Sequence, residues 1–327
     1  MSHSLPLRVS RRAVMVASTM LAAGVCAQGN SKPVRIVVAF AAGSGNDLTA
    51  RDLARYMAEI LNQPVIVENK PGAGGSLGTE AVARAAPDGL TIGLGTSSQL
   101  VMNVGVYRTL PFDVDKDLRL IGLVSSRGMV LAGKASGPKT LKALIAEAKA
   151  RPGQLNYGSA GMGSISHIVG EAFAKAADIR INHVPYKGNS LAMADLAGGH
   201  VDMVFDALSS SQPLARQGRV NLIAMSGSRR NSAAPDLATF AEQGLRGYEA
   251  YTWNCLFAPV QTPTEAMERL NGALNQALAL PKLRDRLIHE FGSEVLAPST
   301  PAQADAFGRR ERERWVPFIR SLKLQSS

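Results

Sequence analysis

Three times in this 327-residue chain a short apolar run empties into a loop of glycine, alanine and serine. Val34-Arg35-Ile36-Val37-Val38-Ala39-Phe40 leads into residues 41–46, Val65-Ile66-Val67 into 70–78, and Leu155-Asn156-Tyr157 into 158–164. The first and third loops open directly into helical patterns, and the second is followed by a helical stretch over 79–86. Continuous β-branched runs suit strands buried on both faces. Parallel strands need a crossover between them, so this rhythm predicts an α/β domain with a mostly parallel sheet. Asp47 opens the first helix, with Leu53, Met57, Ile60 and Leu61 on one face and Pro64 as its stop. Pro87-Asp88-Gly89 makes a turn before a third strand over Leu90–Gly95.

The alternation then starts again. Strands are expected over 118–124 and 129–132, separated by a Ser-Ser-Arg-Gly break at 125–128. A helix over 140–150, strand 155–157, a helix to about Ala177, strand 181–184, helix 190–197 and strands 201–205 and 220–225 follow. A β-rich stretch over 248–257 and helices near 263–279 and 301–320 close the chain. At roughly 150 residues per domain the length supports two domains. The expected division is 28–127 plus 251–327 for the first and 128–250 for the second, with the final strand and helices returning to the first. Each is expected to be a mixed, mostly parallel sheet flanked by helices, with a cleft between them. The hinge is expected near Ser125–Gly128 and Gly247–Tyr251.

The N-terminus reads as an address. Arg8, Arg11 and Arg12 precede an apolar run over 13–25, and Val25-Cys26-Ala27 places small residues for cleavage after Ala27. The run is shorter than the about 20 residues of a membrane span. Ser10-Arg11-Arg12 faintly resembles a twin-arginine signal, but Ala13-Val14-Met15 favours the general secretory route. Val25 is too large to precede a lipidated Cys26. The expected location is therefore the periplasm, with residues 1–27 removed. Of the 2 cysteines, Cys255 then remains without an intrachain partner.

Net charge is +10, but the basic residues are scattered and no nucleic-acid-binding pattern is present. Aromatic residues make up 5% of the chain, poor material for stacking on bases or sugars. Gly43-Ser44-Gly45 and Gly72-Ala73-Gly74 each begin a dinucleotide fingerprint, but Leu48 and Leu77 stand where its third glycine belongs. There is no Gly-Lys-Ser/Thr phosphate loop. His167, His183, His200 and His289 lack metal-ligand spacing; His167 follows the third loop and could face the cleft, but is read rather as a helix-surface or packing residue. No catalytic residue, metal or cofactor is expected. Loops of exposed amides at helix starts, outside the carboxyl ends of strands, instead suit an anion.

Five ordered motifs carry a resemblance. Phe40 to Arg51 resembles the Phe-Pro-Pro-Gly-Gly-x-x-Asp-x-x-Ala-Arg motif of the Bug proteins, the extracytoplasmic solute receptors of tripartite tricarboxylate transporters, also called the TctC family. Val67 to Gly75, Leu155 to Gly161 with Ser164 and His167, His183 to Gly188, and Val201-Asp202 through Phe205-Asp206 resemble four further motifs. Ala41 and Ala42 replace the family's prolines, and Ser44 replaces a glycine.

The resemblance implies a two-domain periplasmic binding protein of type II-like fold that closes on a small carboxylate and hands it to TctA/TctB-type membrane subunits. By motif position the first-domain site would be Gly43, Ser44, Gly45, Asn46 and Asp47 with Ala73, Gly74 and Gly75. The second-domain wall would be Ser159, Ala160, Gly161 and Ser164, with Asp206 at a strand end. Phe40, Ser97 and Met162 are candidates to select the ligand. Asp47, in a first helical turn, suits a dipole partner, and Asp206 either faces the ligand or caps neighbouring backbone. A monomer is expected, neither membrane-embedded nor nucleic-acid-binding. A sensing partner of a membrane signalling protein, or a secreted enzyme acting on small carboxylates, would share much of this pattern.

Overall fold

The structure is a computed structural model describing residues 32–324. The export segment expected over 1–27, with Cys26, lies outside the described residues. Two mixed sheets organise the chain. The first contains β1 (Val34–Val38), β2 (Val65–Asn69), β3 (Thr91–Thr96), β4 (Leu118–Gly128), β10 (Tyr251–Pro259) and β11 (Glu294–Val295), in the order β11-β4-β10-β3-β1-β2. The second contains β5 (Val130–Lys134), β6 (Asn156–Ser159), β7 (Asn182–Pro185), β8 (Met203–Asp206) and β9 (Val220–Met225), in the order β7-β6-β8-β5-β9. Each has a parallel trio, β2-β1-β3 and β7-β6-β8, extended by antiparallel strands. The chain passes from the first sheet to the second between Gly128 and Val130 and returns between Met225 and Tyr251.

The helices of eight residues or more are α1 (Gly45–Leu61), α2 (Ser76–Ala83), α3 (Leu141–Ala150), α4 (Ile165–Ala177), α5 (Asn189–Gly198), α6 (Leu208–Arg216), α7 (Thr264–Ala279) and α8 (Pro301–Ser321). Side-chain caps fix several starts: Ser44 on α1, Thr140 on α3, Ser164 on α4, and Thr300 in a reciprocal capping box with Gln303 on α8. Helix α1 begins two residues before Asp47 because Ser44 supplies the cap. Helix α6 has no counterpart in the sequence reading; its Ser-rich first turns mask an amphipathic pattern. Among the described residues no helix is long and apolar enough to cross a membrane.

Strand alternation sorts the core around the first sheet. Val34, Ile36 and Val38 pack with Leu53, Met57, Met267 and Leu270 of α1 and α7, whereas Val37 faces Leu100, Val101, Trp315 and Ile319. In β10, Leu256 and Ala258 join the first group and Cys255 and Phe257 the second. The expected break at 125–128 does not occur. β4 runs unbroken to Gly128, and Ser125, Ser126, Arg127 and Gly128 pair with Asn254, Trp253, Thr252 and Tyr251. Ladder hydrogen bonds decide the conformation here, overriding the low strand preference of serine and glycine. Register shifts in this pair let Leu120 and Leu123 face one layer while Ile121 and Val124 face the other.

Candidate functional site

The loop after β1 is braced by a buried carboxylate. Ser44 Oγ accepts from Asp47 N at 3.3 Å, and Asp47 Oδ2 accepts from Gly43 N at 2.8 Å and from Arg51 Nε at 2.9 Å. Asp47 Oδ1 accepts from Asn69 Nδ2 at 2.9 Å, and the same amide nitrogen donates to Phe40 O at 3.1 Å. Burial alone would raise the Asp47 pKa, but the hydrogen bonds from Arg51, Gly43 and Asn69 hold it below the ordinary carboxylate value. Asp47 is 1% exposed and its oxygens are committed to the loop, so its geometry is that of a brace. Gly43 N and Ser44 N also bond internally, the latter to Ala41 O at 3.2 Å. Among the described residues the amides of Gly45 and Asn46 have no acceptor, which leaves them at the positive end of α1.

The loop after β2 turns through left-handed backbone at Ala73, Gly74 and Gly75, with φ of 46°, 62° and 94°. Gly75 is buried, and a Cβ there would come within 2.7 Å of Gln99 Cγ, so only glycine fits. Gly75 N bonds to Gly72 O, and Asn103 Nδ2 donates to Gly74 O at 3.0 Å. The amides of Ala73 and Gly74 have no acceptor among the described residues. Lys70, the cation at this loop's edge, pairs with Glu68 at 3.2 Å.

The loop after β6 has the same outline but a neutral interior. Ser164 Oγ accepts from His167 N at 3.3 Å and donates to Gly161 O at 2.6 Å, and Gly163 N donates to His167 Nδ1 at 3.0 Å. Ala160 N donates to Ser166 Oγ and Gly161 N to Ser159 Oγ, so the amides of these two expected wall residues are used inside the loop. Beneath it His167 and His183 stack with ring centres 3.8 Å apart, and His183 Nε2 lies 2.6 Å from Ser159 Oγ. Tyr157 stands 5.0 Å from the His183 ring and donates its hydroxyl to Glu171 at 2.6 Å. Burial pushes both imidazoles down to about 4, with His167 adding to the effect on His183. The Ser159–His183 spacing is that of a nucleophile and base, yet Ser159 is fully buried and also bonds Gly161 on both its N–H and C=O. The pair buttresses the loop.

Asp206 is likewise buried and held: Oδ1 accepts from Asn189 at 2.5 Å, and Oδ2 from Ser210 at 2.5 Å and Ser211 at 3.3 Å. Its partners are side chains, where a backbone cap was one expectation. Ser97 is also buried, and its neighbours Thr96 and Ser98 line the cavity in its place. Met162 is exposed at the tip of the third loop.

The cavity, about 170 Å³, brings Phe40 and Asn46 of the first loop together with Thr96, Ser98, Arg127, Thr252, Trp253 and Asn254. Asn254 Nδ2 donates to Asn46 Oδ1 at 3.0 Å, fixing the start of α1 to the central strand β10. The second and third loops meet one short helix, Asn103–Val106, and the residue after it: a Cβ on Gly74 would lie 3.1 Å from Tyr107 Oη, and one on Gly163 3.0 Å from Val106 Cγ1. Arg127, Asn69, His183 and Asn254 escaped the sequence reading as parts of this arrangement. Each is placed by pairing with distant strands, and only Asn69 and His183 fell inside quoted motifs. Among the described residues no cluster of His, Cys, Asp and Glu could hold a metal.

Comparison with known proteins agrees with this architecture. The family model described as "Tripartite tricarboxylate transporter family receptor" (TctC) matches residues 49–324. BugT of Bordetella pertussis is 33% identical over 313 residues, covering 94% of each chain. MatC from Rhodopseudomonas palustris, solved with bound malate, is 31% identical with a TM-score of 0.72, covering 88% of this chain and 98% of that one. Rpa4515 of R. palustris, solved with adipate, is 30% identical with a TM-score of 0.76, covering 90% and 98%. The two mixed sheets, their flanking helices and the family match agree on one assignment: the chain belongs to the TctC family of solute-binding receptors.

Proposed function

We propose that this chain is a periplasmic receptor that captures a small organic carboxylate between two hinged lobes, residues 28–127 with 251–327 and residues 128–250, and delivers it to the TctA/TctB-type subunits of a membrane transporter. The observation that carries the reading is the set of unused amides at Gly45, Asn46, Ala73 and Gly74 in a family whose solved members include malate and adipate complexes. Backbone N–H groups at a helix start attract negative charge and suit any carboxylate. Phe40 and Asn46 line the cavity at this helix start. The third loop supplies a wall shaped by Ser159, Ala160, Gly161 and Ser164, with Asp206 as scaffold behind it. The N-terminal signal pattern supports export to where such a ligand arrives, and the family is one of receptors.

A thermal-shift screen of carboxylates against their neutral amides tests this. Binding to the folded state raises the midpoint by mass action, so carboxylates should shift it and amides should not. Shifts with sugars or metal ions alone, or consumption of the acid by pure protein, would overturn the reading.

A further inference from the structure

We infer that Arg127 is a specificity-determining residue that receives a second acidic group of the ligand, so that the receptor selects dianionic acids over monoacids of equal length. This rests on the carboxylate-receptor reading above and deepens it. Arg127 sits on β4 one residue before its end, opposite Thr252 of β10, where the chain is about to cross to the second sheet. Its side chain lines the cavity that also holds Phe40 and Asn46. Alternation along the strand sends it away from Ser126 and Gly128, which line a separate cavity of about 280 Å³ with Arg229 and Glu294.

Two further facts make this guanidinium a receptor site. Arg127 makes no ion pair among the described residues; one N–H donates to Phe291 O at 3.1 Å, and a guanidinium has five to give. Every other cation bordering the expected loops has a carboxylate partner, Arg51 with Asp47 and Lys70 with Glu68. Secondly, Arg127 is half-buried, and burial lowers its pKa while Asp206 opposes that through space. Asp206 cannot swing to meet it, because Asn189, Ser210 and Ser211 hold both its oxygens. A partly desolvated guanidinium with no carboxylate in direct contact is costly, and a carboxylate bound in the fork geometry relieves that cost. The amides of the first two loops would hold one end of the ligand and Arg127 the other.

The test is titration calorimetry with malate, succinate, glutarate and adipate, each against the monoacid of equal chain length. Wild type should prefer at least one diacid by about tenfold or more. Arg127→Gln should weaken that diacid by about tenfold to a hundredfold and leave monoacid binding within about threefold. Arg127→Lys, which keeps the charge without the fork, should fall between, and it carries the test should Arg127→Gln fail to fold. Equal losses for diacids and monoacids, unchanged diacid affinity in either variant, or a wild type that prefers monoacids would overturn the assignment of Arg127. A wild type that binds none of these acids would be a different failure: it removes the carboxylate-receptor reading itself, and this inference with it.

Discussion

The loops after β1 and β6 solve one geometric problem with opposite chemistry. Each ends at a serine cap, Ser44 or Ser164, and in each the side chain three residues on reaches back to the amide just before the cap. In the first loop that acceptor is the Asp47 carboxylate, paired with Arg51 and Asn69. In the third it is His167 Nδ1, stacked on His183 above Tyr157 and Glu171. The first brace is ionic and needs its charge. The second is neutral and fails when it gains one, because a protonated imidazole cannot accept from Gly163 N–H. A capped loop can thus be fixed by electrostatics or by its exclusion, and the two loops should respond differently to the same perturbation.

The largest effect should come from cutting the ionic brace. Asp47→Ala removes three hydrogen-bond acceptances from a buried group and is expected to cost about 3 kcal/mol, read as a lowered urea midpoint at unchanged slope. A loss no greater than that of a surface substitution would mean the loop is held by its cap alone. Nearly as large is the response of the third loop to acid. His167 and His183 are pushed down to about 4 in the folded chain, whereas unfolded histidine titrates near 6.5. Their contribution is therefore whole above pH 6.5 and drains as pH falls toward 4, by about 3 kcal/mol for His167 if it titrates alone. The Asp47 pKa is lowered as well, but from the carboxylate range. Its folded pKa lies below the ordinary carboxylate value, so the first loop keeps its brace through that whole window. His167→Gln should flatten the stability profile between pH 6.5 and 4, and a slope identical to wild type would place the acid sensitivity elsewhere.

The caps sharpen the contrast at a smaller scale. Ser44→Ala loses one amide contact and should cost about 1 kcal/mol. Ser164→Ala also frees Gly161 O and Ser166 Oγ, and should cost about 2 kcal/mol by the same measurement. The smallest expected difference lies in the glycines before the caps. Gly43 and Gly163 both have left-handed backbone, φ of 80° and 72°, so alanine at either should cost about 1 kcal/mol. A Cβ at Gly43 meets nothing within 4 Å, but at Gly163 it meets Val106 Cγ1 at 3.0 Å. Gly163→Ala should therefore weaken ligand binding where Gly43→Ala at most lowers the thermal midpoint.

How far these features could be read in advance depends on how local they are. Val34 to Phe40 and the loop behind it are legible because strand, small-residue loop and capped helix are contiguous. The same holds for Tyr157 through Ser164. The run Ser125 to Gly128 misleads, because its strand character comes from β10, more than a hundred residues later. Ser159 and Asp206 were named from motifs, but their side-chain partners were not legible, since His183 and Asn189 reach them from other elements. Arg127 and Asn254 carried no local signal, and sheet order alone brings them to the start of α1.

Gly128 and Tyr251, at the two places where the chain changes sheets, are partners in one ladder. The outgoing and returning strands therefore leave the first sheet as a single ribbon, stitched further on by Ser226, whose Oγ accepts from Met129 N and donates to Ala250 O. A paired ribbon flexes about one axis and resists stretching or sliding of its strands past each other. Motion of one sheet against the other is thereby reduced from six rigid-body freedoms to something near a single angle. On the proposed receptor reading, a ligand that fixed that angle would fix the outer faces of both sheets, and a membrane partner could read occupancy from shape alone, without touching the cavity.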